Sequence, residues 1–208
     1  MVKRLNKSGF TLVELLATVT VMAILMIVAV PNILNTIDRN KKNTYIEDAR
    51  KLVNLAKIEF LSNREITRPT TQNGESRCVA FSFAYLVNNK EIGLGPEGGT
   101  YDVRGTKFGK DDFASLSYVF IKYDSIEKEY KYGVQLVEEY TTKEGKKYRK
   151  GIRYVQNSDD LLGENAINKY IYIDKDLNDG NTIFYGQLNA GSQGLTGCSA
   201  NIYEYLGV

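Results

Sequence analysis

A long uninterrupted run of apolar residues stands near the start of the sequence. From Phe10 to Val30 it reads FTLVELLATVTVMAILMIVAV, in which Glu14 is the single charged residue. About twenty consecutive apolar residues is the length that an α-helix needs to cross the hydrocarbon core of a membrane. The pattern therefore predicts a membrane-spanning helix.

Beyond Pro31 the apolar residues recur with a helical period, which predicts an amphipathic helix whose apolar face packs on a folded domain. The pattern fades near Asn63, so residues 10–63 are expected to form one helix about 80 Å long. Pro31 lacks a backbone N–H, and we expect a kink there; the alternative is that Pro31 ends the membrane helix. The predicted apolar stripe contains Ile33, Ile37, Ile46, Ala49, Val53, Ala56 and Phe60.

From Ser115 the alternation changes to a period of two, in a region rich in tyrosine and valine, which predicts β-strands. Breaks at 124–128 and 143–146 resemble hairpin turns and favour an antiparallel meander of three or four strands. Two more strands are predicted at 170–173 and 182–185. We expect an α+β fold, with the long N-terminal helix packed on an antiparallel sheet.

Composition removes several classes of function. The 208 residues carry a net charge of +2, so no strong overall field favours a nucleic acid. The absence of histidine takes away the commonest general base and transition-metal ligand. The sequence also has no GxSxG motif and no correctly spaced Walker A loop. We therefore do not expect an enzyme.

Two cysteines, Cys78 and Cys198, lie far apart in the sequence, which excludes a CxxC redox pair and a closely spaced metal knuckle. Two hypotheses remain. Either the cysteines form one long-range disulfide, which requires an oxidising compartment, or they are two separate buried thiols.

Basic residues precede the apolar run, and no charge follows it until Asp38. This asymmetry places the N-terminus in the cytoplasm and the remainder outside. The small residues that signal peptidase requires are poorly matched after the run, so removal of the whole helix is not expected. The basic residues are Lys3, Arg4 and Lys7.

The segment Lys7-Ser8-Gly9-Phe10-Thr11-Leu12-Val13-Glu14-Leu15 resembles the class III signal of type IV prepilins and pseudopilins. The resemblance implies cleavage by prepilin peptidase between Gly9 and Phe10 and N-methylation of Phe10. It also implies that Glu14 neutralises the N-terminal ammonium of a neighbouring subunit during assembly. A carboxylate in lipid requires such a partner.

On this resemblance residues 1–9 are a cleaved leader, and residues 10–31 are the transmembrane and filament-core half of the helix. Residues 32–64 are its amphipathic half, and 65–208 are the globular region. The implied protein is a pilus subunit, anchored in the membrane as a precursor and then assembled into an extracellular filament. The alternatives are a pseudopilin of a secretion or DNA-uptake machine and an anchored extracellular binding module that never polymerises.

The implied partners are other pilin subunits, prepilin peptidase, the assembly platform of the inner membrane and the membrane itself. A host surface or DNA is a further expectation, because a basic stretch with interleaved tyrosines can bind anionic surfaces. The alternative is one solvated hairpin. The basic residues are Lys143, Lys146, Lys147, Arg149, Lys150 and Arg153.

Oxygen-bearing side chains at alternate positions resemble the start of a calcium loop, at Asp174, Asp176, Asn178 and Asp179. An EF-hand requires glycine where Asp179 stands and glutamate where Tyr185 stands, so the full motif is absent. We weigh a calcium site against a solvated hairpin turn and expect no other cofactor.

Overall fold

A computed structural model describes residues 10–66, 68–69, 71–72, 75–76, 78–87, 92–102, 116–155, 157–163, 165–174 and 202–205 of the chain. The chain divides into two compact units, with the boundary between Asn40 and Lys41. We call them the N-terminal unit and the globular unit.

The described elements are helices and strands in an α+β arrangement. The helices are α1 (Leu12–Ser62), α2 (Phe83–Leu86), a 3₁₀ helix (Ser158–Leu162) and α3 (Ala166–Tyr170). The strands are β1 (Thr71–Gln72), β2 (Glu75–Ser76), β3 (Cys78–Ser82), β4 (Tyr118–Asp124), β5 (Glu129–Thr141), β6 (Lys147–Val155), β7 (Ile171–Asp174) and β8 (Ile202–Tyr205).

Helix α1 ends one residue before the predicted boundary at Asn63 and contains Pro31 in its interior. The alternative that Pro31 ends the helix is therefore wrong. The predicted kink stays a prediction.

The part of α1 in the globular unit buries the amphipathic stripe that the sequence predicted from Ile46 to Phe60. Tyr45 and Leu52 join it, both fully buried. Ile33 and Ile37 were also assigned to this stripe, and that assignment is wrong, because both are exposed. They belong to the N-terminal unit, whereas the sheet and the buried part of the stripe belong to the globular unit.

Among the described residues six strands form one sheet in the order β7-β6-β5-β4-β3-β8. Neighbouring strands from β3 to β7 are antiparallel, which confirms the predicted meander and adds a strand to it. Strand β8 pairs with β3 in parallel, with Ile202 opposite Cys78. This parallel edge was not predicted, because a parallel pair joins segments distant in sequence and leaves no turn signal.

Both predicted hairpins form between these strands. In the β4–β5 turn the Asp124 carboxylate accepts hydrogen bonds from the backbone N–H groups of Ile126 and Glu127. In the β5–β6 turn Gly145 adopts a φ of 78°, a left-handed conformation that favours glycine. The predicted strand at 170–173 begins one residue later, because Tyr170 ends α3. The predicted strand at 182–185 lies outside the described residues.

The two faces of the sheet are both buried. One face packs against α1 and contains Val79, Phe81, Val119, Ile121, Val134 and Leu136. On the other face Cys78, Ala80, Tyr118, Phe120, Gln135 and Val137 are buried as well. Burial on both faces explains why β3 reads as a continuous apolar run rather than an alternation.

Candidate functional site

The N-terminal unit presents an apolar helix surface without a packing partner inside its own unit. Every described residue from 10 to 40 is exposed, including the large side chains that the sequence assigned to the membrane. Within the described part of the chain, α1 is the helix long and apolar enough to cross a membrane, a test that signal sequences also pass. Such a surface is suited to lipid or to another apolar chain.

Thr11 and Glu14 form a reciprocal cap at the start of α1. The Glu14 carboxylate accepts hydrogen bonds from the Thr11 backbone N–H and hydroxyl, both at 2.9 Å. The Glu14 backbone N–H donates in turn to the Thr11 hydroxyl oxygen at 3.3 Å. This is a capping box, in which threonine and a glutamate three residues later satisfy the free N–H groups of a helix start.

The capping box provides the Glu14 carboxylate with two donors from its own chain. A carboxylate in hydrocarbon is costly without hydrogen-bond donors, and these contacts lower that cost. The sequence interpretation assigned Glu14 only a partner from another subunit and missed Thr11. The spacing threonine-x-x-glutamate was the signal that identifies this pair.

Other polar groups in the same helix also bond inside it. The Thr18 and Thr20 hydroxyls donate to the carbonyls of Leu15 and Ala17, each at 2.8 Å. Next to Pro31, the Asn32 amide donates to the carbonyl of Val28 at 3.1 Å. These local bonds let polar residues stand in an apolar helix without leaving donors unsatisfied.

In the globular unit a buried carboxylate, Glu138, joins α1 to the sheet and to a glycine-rich loop. It accepts hydrogen bonds from the Tyr45 hydroxyl and from the backbone N–H groups of Glu97 and Gly99, the last at 2.6 Å. Hydrogen bonds from backbone N–H groups stabilise the charged form of a carboxylate. The neighbouring Glu139 lies on the opposite face of β5 and pairs with Arg149.

Glu97 bridges two lysines beside this site. Its carboxylate lies 2.6 Å from the ammonium of Lys41 on α1 and 2.6 Å from that of Lys150 on β6. Burial raises the pKa of Glu97, but the hydrogen bonds from Lys150 and Lys41 outweigh burial and lower it below 4.5. The loop is thereby fixed to both α1 and the sheet.

Two buried tyrosines complete the cluster. Tyr101 donates to the Asp48 carboxylate at 2.9 Å, and its ring packs edge-on against Tyr45. Burial and the hydrogen bond to Glu138 raise the pKa of Tyr45, and burial and the Asp48 charge raise that of Tyr101. Both tyrosines therefore stay protonated donors. The arrangement is a buried polar cluster that joins α1, the glycine-rich loop and the sheet.

The predicted basic patch is divided by the structure. Lys150 is buried against Glu97, so its assignment to an exposed patch is wrong; it lies on the face of β6 that packs on α1. Lys147 and Arg149 lie on the other face and share Glu139. Lys143 and Lys146 are exposed in the β5–β6 turn. The side chain of Arg153 is outside the described set.

The remaining candidate residues are only partly described. Cys78 is buried in β3, whereas Cys198 lies outside the described residues, so their pairing stays a prediction. Of the calcium candidates only the backbone of Asp174, in β7, is described; Asp176, Asn178 and Asp179 are outside. Gly9 is outside as well. In the described part of the chain no acidic cluster has the arrangement of a metal site.

Comparison with protein families matches residues 4–30 to the prokaryotic N-terminal methylation motif. The match ends where the apolar run meets Pro31 and includes Phe10 and the Thr11–Glu14 capping box. Neither the curated proteins nor the solved structures compared with the chain gave a match.

Proposed function

We propose that this chain, whose N-terminal methylation motif is the hallmark of type IV pilin-like proteins, is a structural subunit of a type IV pilus. It is made as a membrane-anchored precursor and cut by prepilin peptidase between Gly9 and Phe10, with methylation of Phe10. The mature subunit is passed through the assembly platform of the inner membrane into an extracellular filament for adhesion, motility or surface association. Its role is structural rather than catalytic.

The observation that carries the proposal is the methylation motif, whose match includes the exposed apolar start of α1. The backbone N–H and C=O groups of such a helix are hydrogen-bonded within the helix, so it is suited to lipid. Because its surface is apolar, it leaves the lipid favourably only for another apolar environment. The bundled helices of a filament provide that environment. The globular unit is then the surface that the filament presents.

The first experiment is N-terminal mass spectrometry of the protein from its native host. We expect a chain that begins at N-methylated Phe10. An intact Met1, or a cut after Ala29, would contradict processing by prepilin peptidase and favour an anchored or secreted binding module.

Substitution of Glu14 separates an assembling subunit from a simple anchor. Glu14→Val keeps the helix apolar, so membrane insertion should persist while surface filaments disappear. Glu47→Gln, at an exposed position of the same helix, is the matched control and should assemble normally. Filaments of ordinary number and length in the Glu14→Val strain would indicate a protein that never polymerises through this residue.

The pseudopilin alternative predicts the same processing but a short filament. Electron microscopy of cells at native expression distinguishes the two: long surface fibres labelled by antibody to the globular unit support the pilus. Loss of secretion or DNA uptake without visible fibres would support the pseudopilin.

A further inference from the structure

The direction of β5 relative to α1 defines two ends of the globular unit. Tyr132 on β5 packs near Phe60, whereas Glu138 reaches Tyr45. Six strand residues span about 20 Å, close to the rise of about 22 Å over fifteen helical residues. Strand β5 therefore runs antiparallel to α1, from the Phe60 end of the unit to the Lys41 end.

The Lys41 end carries exposed positive charge. Beyond Glu138, β5 continues for three residues into the β5–β6 turn, so the turn lies at this end. Lys143 and Lys146 are exposed there, and the side chain of Lys147 is 64% exposed although it also pairs with Glu139. Residues 142–148 contain these three lysines and one acidic residue, Glu144.

Apolar and aromatic groups accompany these lysines. Leu94 is 73% exposed, next to Gly95, whose carbonyl and N–H bond to Gly98 and Gly99 in the loop that holds Glu138. The rings of Tyr140 and Tyr148 stack on adjacent strands with their centroids 5.9 Å apart, half-buried. Lysine, tyrosine and an exposed leucine together form the composition that proteins use at a membrane–water interface.

The chain itself ties this end to the apolar helix. Lys41 follows Pro31, where the predicted membrane-spanning half of α1 ends, by ten positions in the same helix. Ten helical residues span no more than about 15 Å. If the helix is in a membrane, as the proposed function requires, the Lys41 end is therefore held near the lipid headgroups.

We propose that the Lys41 end of the globular unit, formed by Leu94, Tyr140, Tyr148 and the lysines of the β5–β6 turn, docks on anionic phospholipid headgroups while the precursor is membrane-anchored. The inference rests on the proposed function for the anchor, but it assigns a surface and a partner that the anchor does not imply. Anionic lipid is favoured over nucleic acid because the exposed leucine has no partner on a phosphate backbone, and the net charge of the chain is only +2.

The chain contains no tryptophan, so a single introduced tryptophan reports its own environment. Full-length Leu94→Trp is reconstituted in vesicles of phosphatidylcholine alone or mixed with phosphatidylglycerol. We expect a blue-shifted emission, quenched by lipids brominated near the headgroup, with phosphatidylglycerol only. High salt should reverse it, because screening weakens attraction between exposed charges and the surface.

The matched control is Ile126→Trp at the tip of the β4–β5 turn, beyond the Phe60 end. Ile126 is 89% exposed, so a tryptophan there begins equally solvated. Its emission should not respond to lipid charge. An identical response of both tryptophans would overturn the proposal, since it would indicate adhesion without a preferred end.

Charge reversal tests the lysines directly. In the Leu94→Trp background, Lys143→Glu, Lys146→Glu and Lys147→Glu together should abolish the shift. A basic residue near an anionic surface raises the docking equilibrium constant about fivefold. Loss of the three lysines alone should therefore lower the ratio of docked to undocked protein roughly 100-fold. An unchanged shift would overturn the role of the turn.

Flotation of the same vesicles separates this inference from the proposed function. Co-flotation with neutral vesicles supports the anchor whatever the tryptophan does, and a silent tryptophan in anionic vesicles then overturns only the docking. Flotation with anionic vesicles alone would support docking and contradict the anchor. A blue shift caused by duplex DNA, without one caused by phosphatidylglycerol, would overturn the lipid assignment in favour of nucleic acid.

Discussion

Gly133 on β5 lies directly opposite Phe120 on β4, and the phenylalanine ring covers the glycine. A Cβ at this position would overlap the ring and approach the carbonyl oxygen of Val155 at 2.6 Å. We expect Gly133→Ala to destabilise the fold by about 1–3 kcal/mol, the usual cost of overpacking a core. Chemical denaturation in detergent, followed by near-ultraviolet circular dichroism of the tyrosines, measures the change.

Gly93 provides the control for this substitution, because it is exposed and a Cβ there meets nothing within 4 Å. Gly93→Ala should unfold at nearly the same denaturant concentration as the wild type. Equal effects of the two substitutions would show that contact with Phe120 is not what requires glycine at 133.

Glu97 makes stability dependent on pH, since its pKa is lowered from 4.5 in the folded protein. Below pH 4.5 the Glu97 carboxylate becomes protonated in the unfolded chain. In the folded protein it stays ionised to lower pH, because Lys150 and Lys41 stabilise its charge. The free energy of unfolding should therefore fall as pH decreases through this range. Glu97→Gln should remove this part of the dependence and flatten the acid limb of the curve.

The comparison variant for Glu97 is Glu144→Gln, in the exposed β5–β6 turn. Its unfolding free energy, measured between neutral pH and acid, should follow the wild-type curve. A Glu97→Gln curve parallel to the wild type would mean that the lysine bridge does not contribute to acid sensitivity.

At the scale of elements, α1 continues through Pro31, where the backbone lacks the N–H that would bond to the carbonyl of Ile27. We expect Pro31→Ala to restore that bond, straighten the helix and stabilise it by up to about 3 kcal/mol. Residual dipolar couplings of the full chain in micelles report the angle between the segments on each side of residue 31.

A neighbouring substitution distinguishes the effect of proline from that of side-chain size. Val30→Ala leaves Pro31 in place, and the angle should stay at the wild-type value. The kink hypothesis fails if the wild type and Pro31→Ala have the same angle.

The hairpins and the buried half of α1 are the elements that local pattern predicted well. The turns at 124–128 and 143–146 were readable because glycine and an aspartate that bonds to its own turn mark them. The bulge that shifts the β5–β6 register between Val134 and Leu136 left no comparable local signal, because it depends on how two distant segments align.

At the scale of the whole molecule, a Cys78–Cys198 disulfide would close a loop across most of the globular unit. Strand β8 begins four residues after Cys198 and pairs Ile202 with Cys78, so the sequence distance permits the bond. We expect Cys198→Ser to lower the free energy of unfolding by about 2–4 kcal/mol. Denaturation of purified full-length protein, with and without reductant, measures the difference.

The double variant Cys78→Ser/Cys198→Ser tests whether the two thiols act as a pair. If they are bonded, the second substitution should add little to the first, and reductant should not affect either variant. Alkylation of both cysteines in unfolded, unreduced wild-type protein would contradict the bond.

The sequence by itself determined the chemistry of the N-terminal segment. The methylation motif, the length of the apolar run, Glu14 and the difference in charge before and after the run are all local properties of the sequence. The family match over residues 4–30 rests on the same residues. Helix α1 and the antiparallel hairpins were also determined locally, since hydrophobic period and turn residues specify them without distant partners.

Only the tertiary structure decided which polar residues are buried. Glu138 and Glu139 are adjacent in the sequence. Glu138 is enclosed by Tyr45 and a glycine-rich loop, whereas Glu139 lies on the opposite face and pairs with Arg149. The sequence assigned Lys150 to a basic patch, whereas in the structure it lies on β6 and contacts Glu97. Alternation along a strand indicates which face of the sheet a side chain occupies. The groups that contact the side chain on that face come from segments tens of residues away, so the local pattern does not identify them.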